Sequence, residues 1–234
     1  MKIMFKVFFL AVSVFSFSET ISFNTADTPP YSTDTSEGFY DILLHEIMNN
    51  LGYDLTINHY PSERSLTWVN EGHNAGEFAR IRGLSETYLD LVIVDEPLSY
   101  FSFVALKLKD SPIIIDSWSD LTPYRVGYLN GWKIYEEYLG FGPKISIANS
   151  PDVLFNLLLA NRVEVILYSN FRAQQYIASK DIQTIEIIEK PLSVRTMHLY
   201  LHKSYSFLVN GINEQLSMMK RNGRYDQLLE ALLQ

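Results

Sequence analysis

Residues 72–97 read GHNAGEFARIRGLSETYLDLVIVDEP. The stretch leaves a helix at Gly72, passes a short segment carrying Glu77 and Arg80, and reaches the apolar run Leu89–Val94. Within EFARI, alternation sets Phe78 and Arg80 on one face and Ala79 and Ile81 on the other. An arginine in a core-seeking strand is costly unless its guanidinium is paired. Its partner is either a protein carboxylate (Glu63, Glu77 or Glu96) or one carried by a ligand.

Outward from this stretch the chain alternates between strand and helix patterns. Upstream, Thr20–Asn24 is a first strand and Thr28–Tyr31, TPPY, is a turn by its prolines. Phe39–Leu51 places apolar residues at 39, 43, 47 and 51, a helix face that Gly52 terminates. Asp54–His59 alternates again, and Pro61–Ser62 opens a short helix through Glu71. Downstream, Phe103–Lys109 is a strand, and the chain crosses to a second unit near 106–112. There follow a helical turn at Ser117–Leu121, a strand at Tyr124–Leu129, a helix at Trp132–Leu139 and a strand at Lys144–Ala148. Ser150-Pro151-Asp152 starts a helix running to Asn161: serine caps, proline fits the first position and aspartate suits the positive end. Val163–Tyr168 is a strand, Phe171–Ser179 a helix and Thr184–Ile188 a strand. Met197–His202 is an extended segment returning to the first unit, Ser204–Asn222 is a long helix ended by Gly223, and Arg224–Leu233 is a last helix. Repeated strand–helix units of this length predict an α/β protein with mostly parallel sheets flanked by helices. The middle of the chain forms its own unit, so the lobes are 19–108 with 200–234, and 109–199, joined by two hinge strands around a cleft.

The first 18 residues read as a signal peptide. Lys2 and Lys6 precede the uncharged run Val7–Phe17, and Ser16 and Ser18 set cleavage after Ser18. The run is shorter than the roughly 20 residues that span a bilayer. A secreted, periplasmic protein is therefore expected. The absence of cysteine excludes disulfides, thiolate catalysis, cysteine zinc sites and a lipoprotein anchor. The net charge of −8 argues against a nucleic-acid partner, which needs a basic face.

Several pieces, in order, resemble the periplasmic solute-binding proteins of family 3, the polar amino-acid type that serve ABC transporters. They are TPPY at 28–31, GFYDILLHEIMNNLGY at 38–53, YPSERSLTWVNEG at 60–72, EFARI at 77–81 and EPL at 96–98. YRVGYLNG at 124–131, LLLANRVEVILYS at 157–169 and MKRNGRYDQLL at 219–229 complete the set. The resemblance implies a two-lobed clamp that closes on a small polar solute and delivers it to a membrane permease or a sensor. It also implies a monomer. Two departures stand out. Amino-acid binders of the family carry a threonine–x–x–arginine segment for the ligand carboxylate, where this chain has Ser85-Glu86-Thr87-Tyr88. They also carry an aspartate for the ligand's amino group after the strand that ends here in Tyr168-Ser169-Asn170. Both familiar handles for a zwitterion are missing at those positions.

The expected ligand-binding residues are Tyr31, Arg64, Arg80, Asn130, Gly131, Trp132, Tyr168 and Asn170. Tyr31 ends the first strand's turn, and ligands bind α/β sheets at strand ends. It is an aromatic wall for ligand or a loop tyrosine packed on its own prolines. Arg64 and Arg80 suit an anionic group through paired hydrogen bonds, or pair with a protein glutamate. Asn130, Gly131 and Trp132 lie where a strand gives way to a helix, and free N–H groups there suit a carboxylate or phosphate. Trp132 stacks on ligand or fills a core. Tyr168 and Asn170 occupy the matching strand end two units later, and their role is implied mainly by the resemblance. His198 and His202 have a spacing that suits zinc on a helix, but on a strand they sit ~13 Å apart, so no metal is expected. The sequence holds no GxSxG, HExxH, phosphate-binding loop or GxGxxG, and no cofactor is expected. A non-enzymatic binding protein is the leading reading. The alternatives are a small-acid dehydratase on the same fold, with Glu77 or Glu96 as acid or base, and a scaffold that has lost its ligand.

Overall fold

Ten strands and seven α-helices alternate along a computed structural model that describes residues 19–140 and 144–232. The expected signal peptide and Leu233 of the last helix lie outside the described residues. The chain runs β1 (Glu19–Thr25), α1 (Phe39–Asn50), β2 (Tyr53–His59), α2 (Ser62–Asn70), β3 (Gly76–Ile81), β4 (Leu91–Ile93) and β5 (Ser99–Leu108). It continues β6 (Arg125–Leu129), α3 (Lys133–Leu139), β7 (Lys144–Ala148), α4 (Pro151–Leu159), β8 (Val165–Ser169), α5 (Asn170–Ser179) and β9 (Ile185–Ile187). β10 (Ser193–His202), α6 (Val209–Arg221) and α7 (Arg224–Leu232) close it.

Local sequence explains most of these elements. In α1 the spacing buries Phe39, Tyr40, Leu43, Leu44, Ile47 and Met48, and the Asp41 carboxylate accepts from the Gly38 and Thr33 N–H groups at the helix start. In α4 the Ser150 Oγ accepts from the Val153 N–H at 3.3 Å, with Pro151 in the first turn.

The strands line up as β2-β1-β3-β10-β5-β8-β6-β7, with β4 on β10 and β9 on β5. Pairing is parallel at both ends, β2–β1–β3 and β8–β6–β7. It is antiparallel wherever β5 or β10 takes part. These two ten-residue strands carry the chain between the ends. β5 pairs with β10 through Ser99–Phe103 and then with β8 and β9; β10 pairs with β5 through Ser193–Met197 and then with β3 and β4. Both are longer than their sequence patterns, because each finds its missing residues' ladder partners in the other.

Three further expectations are corrected. β3 does not alternate: all six residues are buried, and Ala79 takes a positive φ of 61° beside an irregular register with β10. The helix expected over Ser204–Asn222 is a 3-10 turn, Lys203–Leu208, followed by α6. The Ser204-Tyr205-Ser206 run has low helix propensity, and the His202 ring accepts from the Ser204 N–H instead. Finally, α4 ends at Leu159 rather than Asn161, whose φ of 53° turns the chain toward β8.

Candidate ligand cleft

Two buried arginines face the space between the parallel ends. The first, Arg80, is 8% exposed, and its partner Glu77 is 0% exposed. Residues three apart on a regular strand point to opposite faces; the left-handed Ala79 between them lets Glu77 and Arg80 meet. Arg80 Nε donates to Glu77 Oε1 at 2.7 Å, Nη1 to Ser62 Oγ at 2.6 Å and Nη2 to Ser62 O at 2.6 Å. Ser65 Oγ donates to the other Glu77 oxygen. Burial pushes the Glu77 carboxyl up, and Arg80 and Ser65 pull it back. Every nitrogen of this guanidinium is engaged by protein.

The second arginine is Arg172, in the first turn of α5 and 6% exposed. It pairs with Asp27, just beyond β1 and 7% exposed. Its guanidinium carbon lies 5.0 Å from the Phe101 ring centroid, 5.4 Å from Tyr31 and 5.7 Å from Trp132. Asp27 Oδ2 and Arg172 Nε are buried and make no hydrogen bond among the described residues. Burial pushes the Asp27 carboxyl up, against the pull of Arg172. Burial also opposes the Arg172 charge, but the Asp27 carboxylate outweighs it and the pKa of Arg172 rises. Burial raises the Tyr31 phenol to about 12, so it is a neutral wall at physiological pH.

Two cavities touch Arg172, and Asp27 also lines a further one of about 360 Å³. One of about 40 Å³ is lined by Asp27, Arg172, Arg80, Phe101, Phe103 and Trp132, among others. At roughly 10–15 Å³ per water it has room for about three waters. The other is a groove of about 180 Å³, lined by Asn130, Trp132, Ser150, Tyr168 and Arg172, among others. Trp132 stacks on Tyr168 at 5.0 Å and 10°, forming a shared wall. At the rim, Lys133 on α3 pairs with Glu63 on α2 at 2.7 Å, and the Tyr88 hydroxyl donates to Glu63 at 3.0 Å. Burial raises the Glu63 carboxyl, and Lys133 and Tyr88 outweigh it, so its pKa falls below the usual value. Gly131 closes the same seam. Its φ is 75°, its carbonyl accepts from Ser62 Oγ at 3.0 Å, and a Cβ there would lie 2.6 Å from the Glu63 nitrogen.

This arrangement of two parallel ends, two crossing strands and a cleft recurs among solved structures. The chain matches a mutant of ArgBP from T. maritima with a TM-score of 0.79 and 21% identity, over 92% of this chain and 95% of that one. It matches the substrate-binding protein of an amino acid ABC transporter with a TM-score of 0.75 and 21% identity, over 91% and 98%. A histidine kinase sensor domain with similarity to periplasmic binding proteins gives a TM-score of 0.81 at 16% identity, over 92% and 96%. The fold is the two-lobed periplasmic-binding-protein clamp. An uncharacterized protein of Shewanella oneidensis is 26% identical over 197 residues, covering 80% of this chain and 73% of that protein. No family model matches.

The clamp brings most of the expected residues to its cleft. Arg80, Gly131 and Trp132 line the smaller cavity, and Asn130, Trp132 and Tyr168 line the groove. Tyr31 stacks on Tyr40 at 5.3 Å and lies under Arg172. Two expected residues lie elsewhere. Arg64 is exposed, with its guanidinium 4.1 Å from the Trp68 ring. Asn170 accepts from Gln174 and lines neither of these cavities but another groove, which Tyr31 and Phe101 share. The free N–H groups expected at 130–132 are also corrected. The Asn130 N–H continues the β6–β7 pairing to Ala148 O, and the Trp132 N–H closes a turn to Leu129 O. His198 is buried and bonds Val94 O at 3.0 Å and Thr196 Oγ1 at 2.8 Å. Among the described residues no cluster could hold a metal, and no helix is long and apolar enough to cross a membrane.

Asp27 and Arg172 are absent from the sequence-derived set. Both follow the C-terminal ends of strands, β1 and β8, where open α/β sheets bind ligands. That position was the available signal. What the sequence did not show is that two residues 145 positions apart meet.

Proposed function

We propose that the protein is a periplasmic solute-binding clamp. Its lobes, 19–108 with 200–234 and 109–199, close on a small polar, amino-acid-like or anionic solute. It hands that solute to an ABC-type permease or presents it to a sensor, as a monomer and without turnover. One observation carries this reading: a buried ion pair with unused hydrogen-bonding valence lies between strand ends from opposite sides of β5 and β10. Buried polar atoms without partners are rare and costly, and they concentrate at functional sites. A solute that contacts both sides favours the closed arrangement by differential affinity.

The two carboxylates that the sequence offered for acid–base chemistry are committed elsewhere. Glu77 is held by Arg80 and Ser65, and Glu96 by Lys220 at 2.6 Å and Ser217 at 3.0 Å. These contacts leave neither of the two free to act as acid or base.

The test is a thermal-shift screen of the purified protein against amino acids, small organic acids, amines and short peptides. A ligand that binds only the folded state stabilises it by mass action, by about 2.7 kcal/mol at 100 times Kd, and so raises the melting temperature. A shift with one chemical class, and no consumption of the compound, is expected. Turnover of any compound would replace the clamp reading with the enzymatic one. Absence of any shift would replace it with a scaffold that no longer binds.

A further inference from the structure

Arg80 cannot serve as the free cation of the cleft, because its three nitrogens already bond Glu77 and Ser62. The residue at the strand end where the family resemblance expects an acid is Asn170, and it is bonded to Gln174 on the surface. Of the charged residues that line the smaller cavity, Arg80 is filled by Glu77 and Ser62 and Lys133 pairs with Glu63 and Glu136, which leaves Asp27 and Arg172. Their sides are exchanged. The acid follows β1, on the β2–β1–β3 side, and the arginine follows β8, on the β8–β6–β7 side.

The atoms left without partners define a complement. Among the described residues, Asp27 Oδ2 is an acceptor lacking a donor, and Arg172 Nε is a donor lacking an acceptor. A lone anion would satisfy Arg172 and repel Asp27. A lone cation would do the reverse. A molecule with an ammonium and a carboxylate close together satisfies both, replacing one internal pair with two charge-assisted pairs. The aromatic rings of Phe101, Tyr31 and Trp132 around the guanidinium lower the polarity of its surroundings and strengthen those contacts. The cavity between the two residues is small, but Arg172 and Trp132 also line the adjoining groove of about 180 Å³, which gives a side chain somewhere to go.

We propose that Asp27 and Arg172 are the two handles of a zwitterionic α-amino acid. The ligand ammonium goes to Asp27 and its carboxylate to Arg172, and the direct Asp27–Arg172 pair stands in for the ligand when none is bound. This rests on the solute-binding reading and adds a polarity to it: the ligand lies reversed relative to binders whose arginine comes from the β3–β4 segment.

The experiment is calorimetric titration of the purified protein with the twenty α-amino acids. The tightest is then followed by its amide, which lacks the carboxylate charge, and by its α-hydroxy acid, which lacks the ammonium. Wild type is expected to bind the amino acid at least tenfold tighter than either analogue. Arg172→Gln should bind the amino acid and its amide within about threefold of one another. Asp27→Asn should do the same for the amino acid and its hydroxy acid. Arg172→Lys, which keeps the charge should Arg172→Gln fail to fold, should retain the preference for the carboxylate. If wild type binds the amino acid but the Arg172 variants discriminate against the amide as wild type does, the carboxylate is read elsewhere and the assignment falls. If a plain organic acid or amine binds best, the assignment also falls while the clamp reading stands. If nothing in the wider screen binds, both fall together.

Discussion

The two buried arginines of the cleft differ in how completely the protein satisfies them. Arg80 is bonded through all three nitrogens to Glu77 and Ser62, and the second oxygen of Glu77 is bonded by Ser65. Arg172 has its carboxylate and its aromatic neighbours, but Arg172 Nε and Asp27 Oδ2 have no hydrogen-bond partner among the described residues. Both pairs suffer the same burial, so the difference lies in their second contacts. A buried pair with every valence filled fixes local structure. A pair with one donor and one acceptor to spare can exchange its internal partner for a ligand at less relative cost.

The largest expected effect comes from breaking the filled pair. Glu77→Ala strands the Arg80 charge among buried groups and should lower stability by about 3–5 kcal/mol. That corresponds to roughly 10 °C or more in the melting temperature of a chain this size. A loss under about 1 kcal/mol in chemical denaturation would mean that Arg80 finds solvent or another partner, and the contrast between the two arginines would collapse.

Breaking the unfilled pair should cost less. Arg172→Ala leaves Asp27 beside a cavity, where the carboxyl can take up a proton, and the loss should be about 1–3 kcal/mol at neutral pH. The pH dependence has a definite sign. Without Arg172, burial holds the folded Asp27 pKa further above its ordinary value of 3.8. The folded state then binds the proton better than the unfolded one. The variant's stability is fully present below that value and is lost as pH rises through the folded pKa. The gap between wild type and variant should widen from pH 4 to pH 7 in melting experiments, and a constant gap would count against it.

Gly131→Ala tests the seam between the two sites. The left-handed backbone costs a non-glycine residue about 1–2 kcal/mol, and the new Cβ would press on the Glu63 nitrogen. Solute affinity should fall about tenfold, measured by titration, because the contact with α2 must loosen before the cleft can close.

The smallest effect belongs to the rim. Glu63 is 40% exposed at its side chain, so its pair with Lys133 is screened, and Lys133→Ala should cost about 0–1 kcal/mol. The depressed Glu63 carboxyl contributes stability above its ordinary value of 4.5 that is lost as pH falls through the folded pKa. The variant should lack that acid-side loss, and 1 M salt should remove most of the difference at neutral pH.

Much of the architecture is legible in the chain. Apolar spacing in Phe39–Asn50, the serine–proline–aspartate start of α4 and the alternation of β1 and β2 are local signals, and each produced its element. The hinge strands were read short. Ser99–Ser102 and Ser193–Thr196 carry weak strand signals alone, and they become strand by pairing with each other. The alternation in EFARI does not predict the faces of β3, because nothing local announces a left-handed alanine; the Glu77–Arg80 contact and the irregular register against β10 accompany it.

The site divides the same way. Trp132, Tyr168, Asn130 and Gly131 were visible because they sit at strand ends, and that position puts them at the cleft. Arg64 looked equally suitable, but its helix turns it onto Trp68 instead. Sequence by itself determined the strand–helix order, the strand ends that border the cleft, and the supply of charged residues there. Only the tertiary structure decided which charges meet. Pairing across 145 positions, and the filling or leaving open of each hydrogen-bond valence, depends on distances that no local pattern encodes.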